Sequence, residues 1–377
     1  MQRLEPRPLE FRDPQAAGKL RRALAKVFED IGRPSVALMH VCGTHEQAIA
    51  RYGLRAALPP GLEIIMGPGC PVCVTHIHEV DEGVALSRQG KRMLTYGDML
   101  RVPGTRRSLQ DARAEGSRVE VVYSVSQAVD IARDTDEEVV FFATGFETTA
   151  VATAAALLAG VPPNFSVLSA HKYVPPAMEL VAGLPESRIE GFLAAGHAAT
   201  ITGWGLFEPL ASRYGIPIVV GGFEPLDILA GLLSLVELVR DGRAEAVNAY
   251  PRCVTREGNL RAQAAMWKVF EPSVGNWRGI GEVPDGNLSL RGEWAHLDAR
   301  RRYDIDTSEL EAEGQRLVVD KCICGRVMVG MAKPTACHLF GTACTPARPV
   351  GACMVSSEGT CRIWHEYGGH PDLGGTA

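Results

Sequence analysis

Three groups of cysteines combine residue types and spacings that can do chemistry. The first is Cys42, which opens the run Cys42-Gly43-Thr44-His45-Glu46 at a strand-to-helix turn. A thiol at a helix start has its thiolate stabilised by unpaired backbone N–H groups, which suits a nucleophile or a metal ligand. His45 can serve there as a base, a ligand or a donor to a ligand. The plainer alternative is a core cysteine beside a capping Thr44. The second group is Cys70 and Cys73 in GPGCPVC, where Gly and Pro make a rigid turn that holds both sulfurs on one side. That spacing suits a redox disulfide or two ligands of one metal, and His76 and His78 follow closely enough to add ligands. A closed all-thiolate zinc site would need a second pair, and Cys42 is the only other N-terminal cysteine.

The third group is Cys322, Cys324, Cys337, Cys344, Cys353 and Cys361, six of the ten cysteines gathered at the end of the chain. Four converging thiolates can ligate a cubane iron–sulfur cluster, and the Pro/Gly-rich segment 341–351 gives the chain freedom to bring them together. Spacing alone leaves the choice of four open. One partition takes Cys322, Cys337, Cys344 and Cys361, leaving Cys324 and Cys353 as a dithiol. Structural zinc competes with the cluster. Cys253 is isolated and reads as a core residue.

The elements that position these groups alternate. Short β-branched runs at 36–41, 62–67, 92–96, 119–123, 138–143, 166–169, 188–193 and 217–220 read as strands. Helical spacing appears at 17–32, 125–134, 147–159, 176–184, 197–214 and 226–240, and beyond about 248 it is strong only at 260–270. Strands alternating with helices predict parallel sheets with crossover helices. The expected architecture is α/β, with two parallel-sheet domains flanking a cleft and a smaller C-terminal iron–sulfur domain. The expected boundaries are 1–118, 119–247 and 248–377. A Gly followed by an acid at a helix start recurs in CGTHE, TGFETT and GGFEPLD. Ligands of open α/β sheets collect at the C-terminal ends of strands, so these three turns are expected to line one cleft. His171 and Lys172 in SAHKY, His197 in AAGHAAT and Asp98 in YGDML are further polar candidates, with a hydrogen-bonded structural role as the alternative.

Composition narrows the class. The 377 residues are 46% hydrophobic and 22% charged, which excludes a disordered chain. A net charge of -5 argues against nucleic acid as the main partner. The apolar stretches near 151–161 and 228–239 are short and interrupted, so no membrane partner is expected. The N-terminus has no apolar core of a secretory signal, so the expected compartment is the reducing cytoplasm. There, clustered cysteines bind metal or do redox chemistry. No GxGxxG, P-loop or G-x-S-x-G motif is present, which weakens nucleotide-enzyme and serine-hydrolase readings.

Together CGTHE, GPGCPVC, YGDMLRVPG, ATGFETTA, SAHKYVPPAM, GGFEPLDIL, NAYPRCV and CTPARPVGACMVSSEGTC resemble the HypD family of [NiFe]-hydrogenase maturation factors, over about 38–367. One departure is GFLAAGH, where Ala195 stands at a position that is proline in many relatives, so a rigid turn there is not carried over. The resemblance implies a scaffold for the Fe(CN)2CO group, working with a HypC-type chaperone that shares the iron and a HypE-type donor of cyanide. It implies that Cys42, with His45 nearby, binds iron and that Cys70 and Cys73 are a redox or iron-binding pair. Cys322, Cys337, Cys344 and Cys361 would hold a [4Fe-4S] cluster, and Cys324 and Cys353 would form a dithiol beside it. Electrons would then run from the cluster through Cys324/Cys353 and Cys70/Cys73 to iron near Cys42. The competing readings are a cluster-dependent thiol–disulfide reductase with no scaffold role, and a zinc-stabilised interaction module.

Overall fold

The structure is a computed structural model that describes residues 10–310, 313 and 322–368. Its strands are β1 (Val36–His40), β2 (Leu62–Met66), β3 (Arg92–Thr95), β4 (Val119–Val121), β5 (Val139–Gly145), β6 (Phe165–His171), β7 (Gly191–Ala195), β8 (Ile218–Gly221), β9 (Ala246–Asn248), β10 (Phe270–Trp277) and β11 (Gly281–Leu290). They form one sheet of order β2-β1-β7-β8-β9, a second of order β4-β3-β5-β6 and the antiparallel ribbon β10-β11. In the first sheet β1, β7, β8 and β9 pair in parallel, and the second sheet is parallel throughout. The α/β expectation is met. Every residue of β1, β5, β6, β7 and β8 is buried, as continuous apolar strands covered on both faces require.

The chain divides into two compact units. The first takes the residues up to 65, then 188–258, and the last described residues from 367. The second takes 66–187 and 259–366. This division differs from the expected boundaries at 118/119 and 247/248. The first of those cuts falls between β3 and β4, which are hydrogen-bonded neighbours with Met93 opposite Val119. The cysteine-rich end is likewise no separate body, because it folds with the second sheet. Its ribbon supplies Phe270, Leu288 and Leu290 to the same core as Phe141, Val167 and Ala150. In the first unit Leu38, Ile49, Leu193, Val219, Ile228 and Leu232 form the core.

Two local readings also change. The helix expected over 197–214 is two, Gly196–Thr202 and Glu208–Tyr214. Gly203 separates them at φ +80°, and a Cβ there would come 2.3 Å from the Arg256 carbonyl oxygen. The ribbon β10-β11 has no sequence expectation at all, because its Pro, Gly and Asn residues mask the alternation of period two.

Candidate functional site

In the first unit three turns leave adjacent parallel strands at their C-terminal ends. β1 leads through Cys42 into the helix Gly43–Arg51, β7 into Gly196–Thr202, and β8 into Pro225–Arg240. Cys42 is the residue that starts its helix, while Thr44 lies within the first turn. Its thiol is 2% exposed and packs with Ala195, Ala198 and Phe223. The Cys42 Sγ lies 3.9 Å from Nδ1 of His197. Phe223 packs against the rings of both His45 and His197, with centroids 4.9 and 5.2 Å apart.

His45 does not face the thiol as a base. Its Nε2 donates to the Gly222 carbonyl at 2.9 Å, which leaves Nδ1 as a buried lone pair with no partner among the described residues. Burial, with His40 and His197 nearby, lowers its pKa to about 3, so the ring stays neutral. Glu46 explains the end of the motif. It is fully buried, accepting from Nε2 of His40 at 2.7 Å and from Arg55 at 2.6 Å. Burial pushes its carboxyl up, but Arg55 and His40 outweigh that and hold it below the usual carboxylate range. His40 in turn reaches the Cys42 carbonyl through Nδ1 at 3.1 Å, so the Glu46 network fixes the backbone that presents the thiol.

Glycine is required where these turns meet. A Cβ on Gly196 would stand 2.5 Å from the Gly221 carbonyl, and one on Gly222 would stand 2.5 Å from both Asp227 and the Tyr250 ring. Asp227 receives both arms of Arg252 and the Glu224 N–H. The GGFEPLD turn therefore closes on itself through Asp227. TGFETT leaves β5, in the sheet of the second unit. Its Glu147 is fully buried, with one oxygen taking the Val174 N–H at 2.9 Å and the other unpartnered among the described residues. Burial pushes that carboxyl up to about 7.

In the second unit Cys70 and Cys73 are joined as a disulfide with Cα atoms 5.3 Å apart. Cys70 starts the short helix Pro71–Val74 and its sulfur accepts the Cys73 N–H at 3.1 Å. His76 and His78 do not turn toward this pair as ligands. His76 caps the helix Ile77–Arg88 by accepting the His78 N–H, and His78 meets Thr307 and Glu82. His171 bonds Thr153, and Asp98 receives the Ser356 hydroxyl, so both have structural partners. Lys172 is fully buried, with its ammonium 2.7 Å from Glu79 and 2.9 Å from Asn287.

All six C-terminal cysteines are buried or nearly so, and the isolated Cys253 is exposed rather than in a core. Cys324 raises the pKa of the Cys322 thiol, and Cys361 lowers that of Cys353. Burial, with Cys322 and Cys337 nearby, raises that of Cys344, and Cys353, burial and then Cys324 and Cys322 raise that of Cys361. Backbone N–H groups point at two of the sulfurs, Val350 at Cys344 and Cys361 at Cys353, both at 3.3 Å. Gly351 leaves the space a Cβ would take 2.8 Å from the Cys322 sulfur. Soft donors and N–H···S contacts of this kind fit a thiolate-bound polynuclear centre. Among the described residues no three His, Cys, Asp or Glu side chains form a ready site for one metal ion. The helix Ala352–Val355, which carries Cys353, packs on the helix Pro71–Val74, which carries Cys73. Arg278 and Glu79 carry no mark in the sequence, whereas Glu147 falls in the TGFETT motif.

No helix among the described residues is long and apolar enough to cross a membrane. The family model described as "HypD: Hydrogenase formation hypA family" matches residues 15–368. A hydrogenase maturation factor HypD of Azotobacter vinelandii is 42% identical over 373 residues, covering 95% of this chain and 96% of its own. That of Cupriavidus necator is 41% identical over 382 residues, covering 97% of each. A putative hydrogenase expression/formation protein of Methanocaldococcus jannaschii is 42% identical over 335 residues, covering 88% and 91%. The chain belongs to the HypD family of hydrogenase-formation proteins.

Proposed function

We propose that this hydrogenase maturation factor is the scaffold on which an Fe(CN)2CO group is assembled. Iron is held at Cys42 in the first unit, shared with a HypC-type chaperone, and cyanide arrives from a HypE-type thiocyanate carrier. The observation that carries this reading is the single buried thiol of Cys42 among two neutral-ring histidines, one with an unpartnered nitrogen. A soft sulfur beside a neutral imidazole suits low-spin iron with strong-field ligands. Releasing cyanide from a thiocyanate breaks the S–C bond and takes two electrons, leaving a thiolate and cyanide. The Cys70–Cys73 pair supplies them in its reduced form, giving up two electrons and two protons as the disulfide forms. Cys322, Cys337, Cys344 and Cys361 would hold the [4Fe-4S] cluster, which supplies one-electron chemistry when bound. Cys324 and Cys353 would be the dithiol between it and Cys70–Cys73, a role supported by the packing of the two short helices that carry Cys353 and Cys73.

The test is anaerobic purification with the small chaperone, followed by infrared spectroscopy in the CO and cyanide region. Cys42→Ala should lose those bands while keeping the visible absorption of the cluster. Bands of full intensity in that variant would remove Cys42 as the anchor. The reductase reading is favoured by the same disulfide, and it gains if iron never exceeds the cluster's own content.

A further inference from the structure

The tip of the ribbon β10-β11 carries a charge that the foregoing chemistry does not use. Arg278 is only 4% exposed. Its backbone N–H donates to the Val74 carbonyl at 2.9 Å, Nε to the Thr75 carbonyl at 2.8 Å, and Nη2 to the Pro103 carbonyl at 2.8 Å. All three acceptors are neutral, and among the described residues no carboxylate pairs with it. Contrast the other buried cations of this unit, Lys172 on Glu79 and Arg300 on Glu82. A buried guanidinium without a paired counter-charge is costly, so a negative partner nearby is expected. Burial lowers its pKa, and the groups that oppose this are Cys324 first, then Asp81, Glu79 and Cys322.

Contact geometry ties the same tip to those cysteines. Gly279, at φ +73°, lies so close to Gly325 that a Cβ on Gly325 would meet the Gly279 carbonyl at 1.8 Å. Gly325 immediately follows Cys324 in the helix Cys324–Met328. On its other side the tip is bonded to Val74 and Thr75, at the end of the helix that carries Cys73. The tip therefore fastens the disulfide helix through Arg278 and packs on the Cys324 helix through Gly279.

We infer that Arg278 is the buried counter-charge of the C-terminal sulfur centre, a positioning residue that holds its electron-rich state and fixes it to the Cys70–Cys73 helix. The inference rests on the cluster reading given above. A fixed positive charge favours the more negative, reduced state, so removing it lowers the reduction potential.

The experiment is an anaerobic redox titration of the full chain, following bleaching of the cluster absorption. Arg278→Gln keeps an amide donor and removes the charge. It should lower the reduced fraction at fixed potential about tenfold, or about 59 mV for one electron. Arg278→Lys keeps the charge and should stay within about twofold of the parent. Asp81→Asn removes a negative charge that acts on Arg278 while keeping an oxygen for Thr105, and should move the potential the opposite way. It decides the matter where Arg278→Gln does not fold. Equal potentials in parent, Arg278→Gln and Asp81→Asn overturn the inference. If the parent has no cluster absorption, the cluster reading fails instead. Arg278 is then judged by the Cys324/Cys353 thiol–disulfide equilibrium against a reference dithiol, where an unshifted Arg278→Gln overturns it.

Discussion

The two units use the same parallel-sheet plan and bury their polar groups in opposite ways. Around Cys42 the His45 ring is neutral with one nitrogen left open, and the acid Glu46 is matched by Arg55 and His40. In the second unit whole charges are buried: Lys172 with Glu79, Arg300 with Glu82, and Arg278 on the Thr75 and Pro103 carbonyls. The difference follows from the tasks proposed for them. A site that must accept a cargo keeps a soft donor and an unused lone pair, whereas a site that moves electrons needs fixed charge at short range.

The sharpest way to break this contrast is to remove one member of a buried pair. Lys172→Met leaves the Glu79 carboxylate buried without its partner and should destabilise the second unit by about 3–5 kcal/mol. Urea unfolding followed by tryptophan fluorescence reads this loss. Adding Glu79→Met to the same chain should recover most of it. A loss in Lys172→Met below a few tenths would show that the pair carries no such charge.

Next in size is the pH dependence, where the units should slope in opposite directions. His45 has a folded pKa near 3 against an ordinary 6.5, so the unfolded chain binds the extra proton between those values. Its contribution to stability is present above pH 6.5 and is lost as pH falls, by about 1.4 kcal/mol per unit. Glu147 is raised to about 7 against an ordinary 4.5, so the folded chain binds the extra proton, and stability is lost as pH rises through that window. Glu147→Gln should therefore remove that decline and gain on the order of 3 kcal/mol at pH 8. Thermal melts of parent and variant at pH 5 and pH 8 measure it, and parallel curves would refute the assignment.

The smallest expected effect tests the packing of the Cys42 turn. Gly196→Ala drives a methyl into the Gly221 carbonyl and the Tyr250 ring. That should cost about 1–3 kcal/mol and speed the reaction of Cys42 with a thiol reagent. Unchanged stability together with unchanged reactivity would mean the turns are not locked together there.

Much of this was legible in the sequence because apolar strands and helical periods are local signals. The sequence bounds of β1, β5 and β8 lie close to the true ones, and CGTHE is legible as a strand-to-helix turn, whereas GPGCPVC reads only as a turn and in fact opens the helix Pro71–Val74. The domain division was not legible, because contiguous stretches look like domains while β1 in fact pairs with β7 across an inserted unit. His45 and His197 exchanged emphasis for a related reason. Sequence proximity favours the neighbour of Cys42, but a helix turns His45 away to Gly222 while an adjacent strand delivers His197. Arg278 escaped notice because a lone arginine normally lies on a surface, and only tertiary contacts reveal its burial.

That insertion also sets an order of events during synthesis. The segment carrying Cys42 leaves the ribosome early, but the residues that surround its thiol belong to 195–223. At about 5–20 residues per second, roughly 8–36 seconds separate the emergence of the two. Throughout that interval the nascent chain presents an uncovered thiol, while the intervening segment 66–187 can begin to build its own sheet. The cradle of the first unit is therefore a late product of translation, and a chain truncated before β7 would carry Cys42 without Ala195, His197, Ala198 and Phe223.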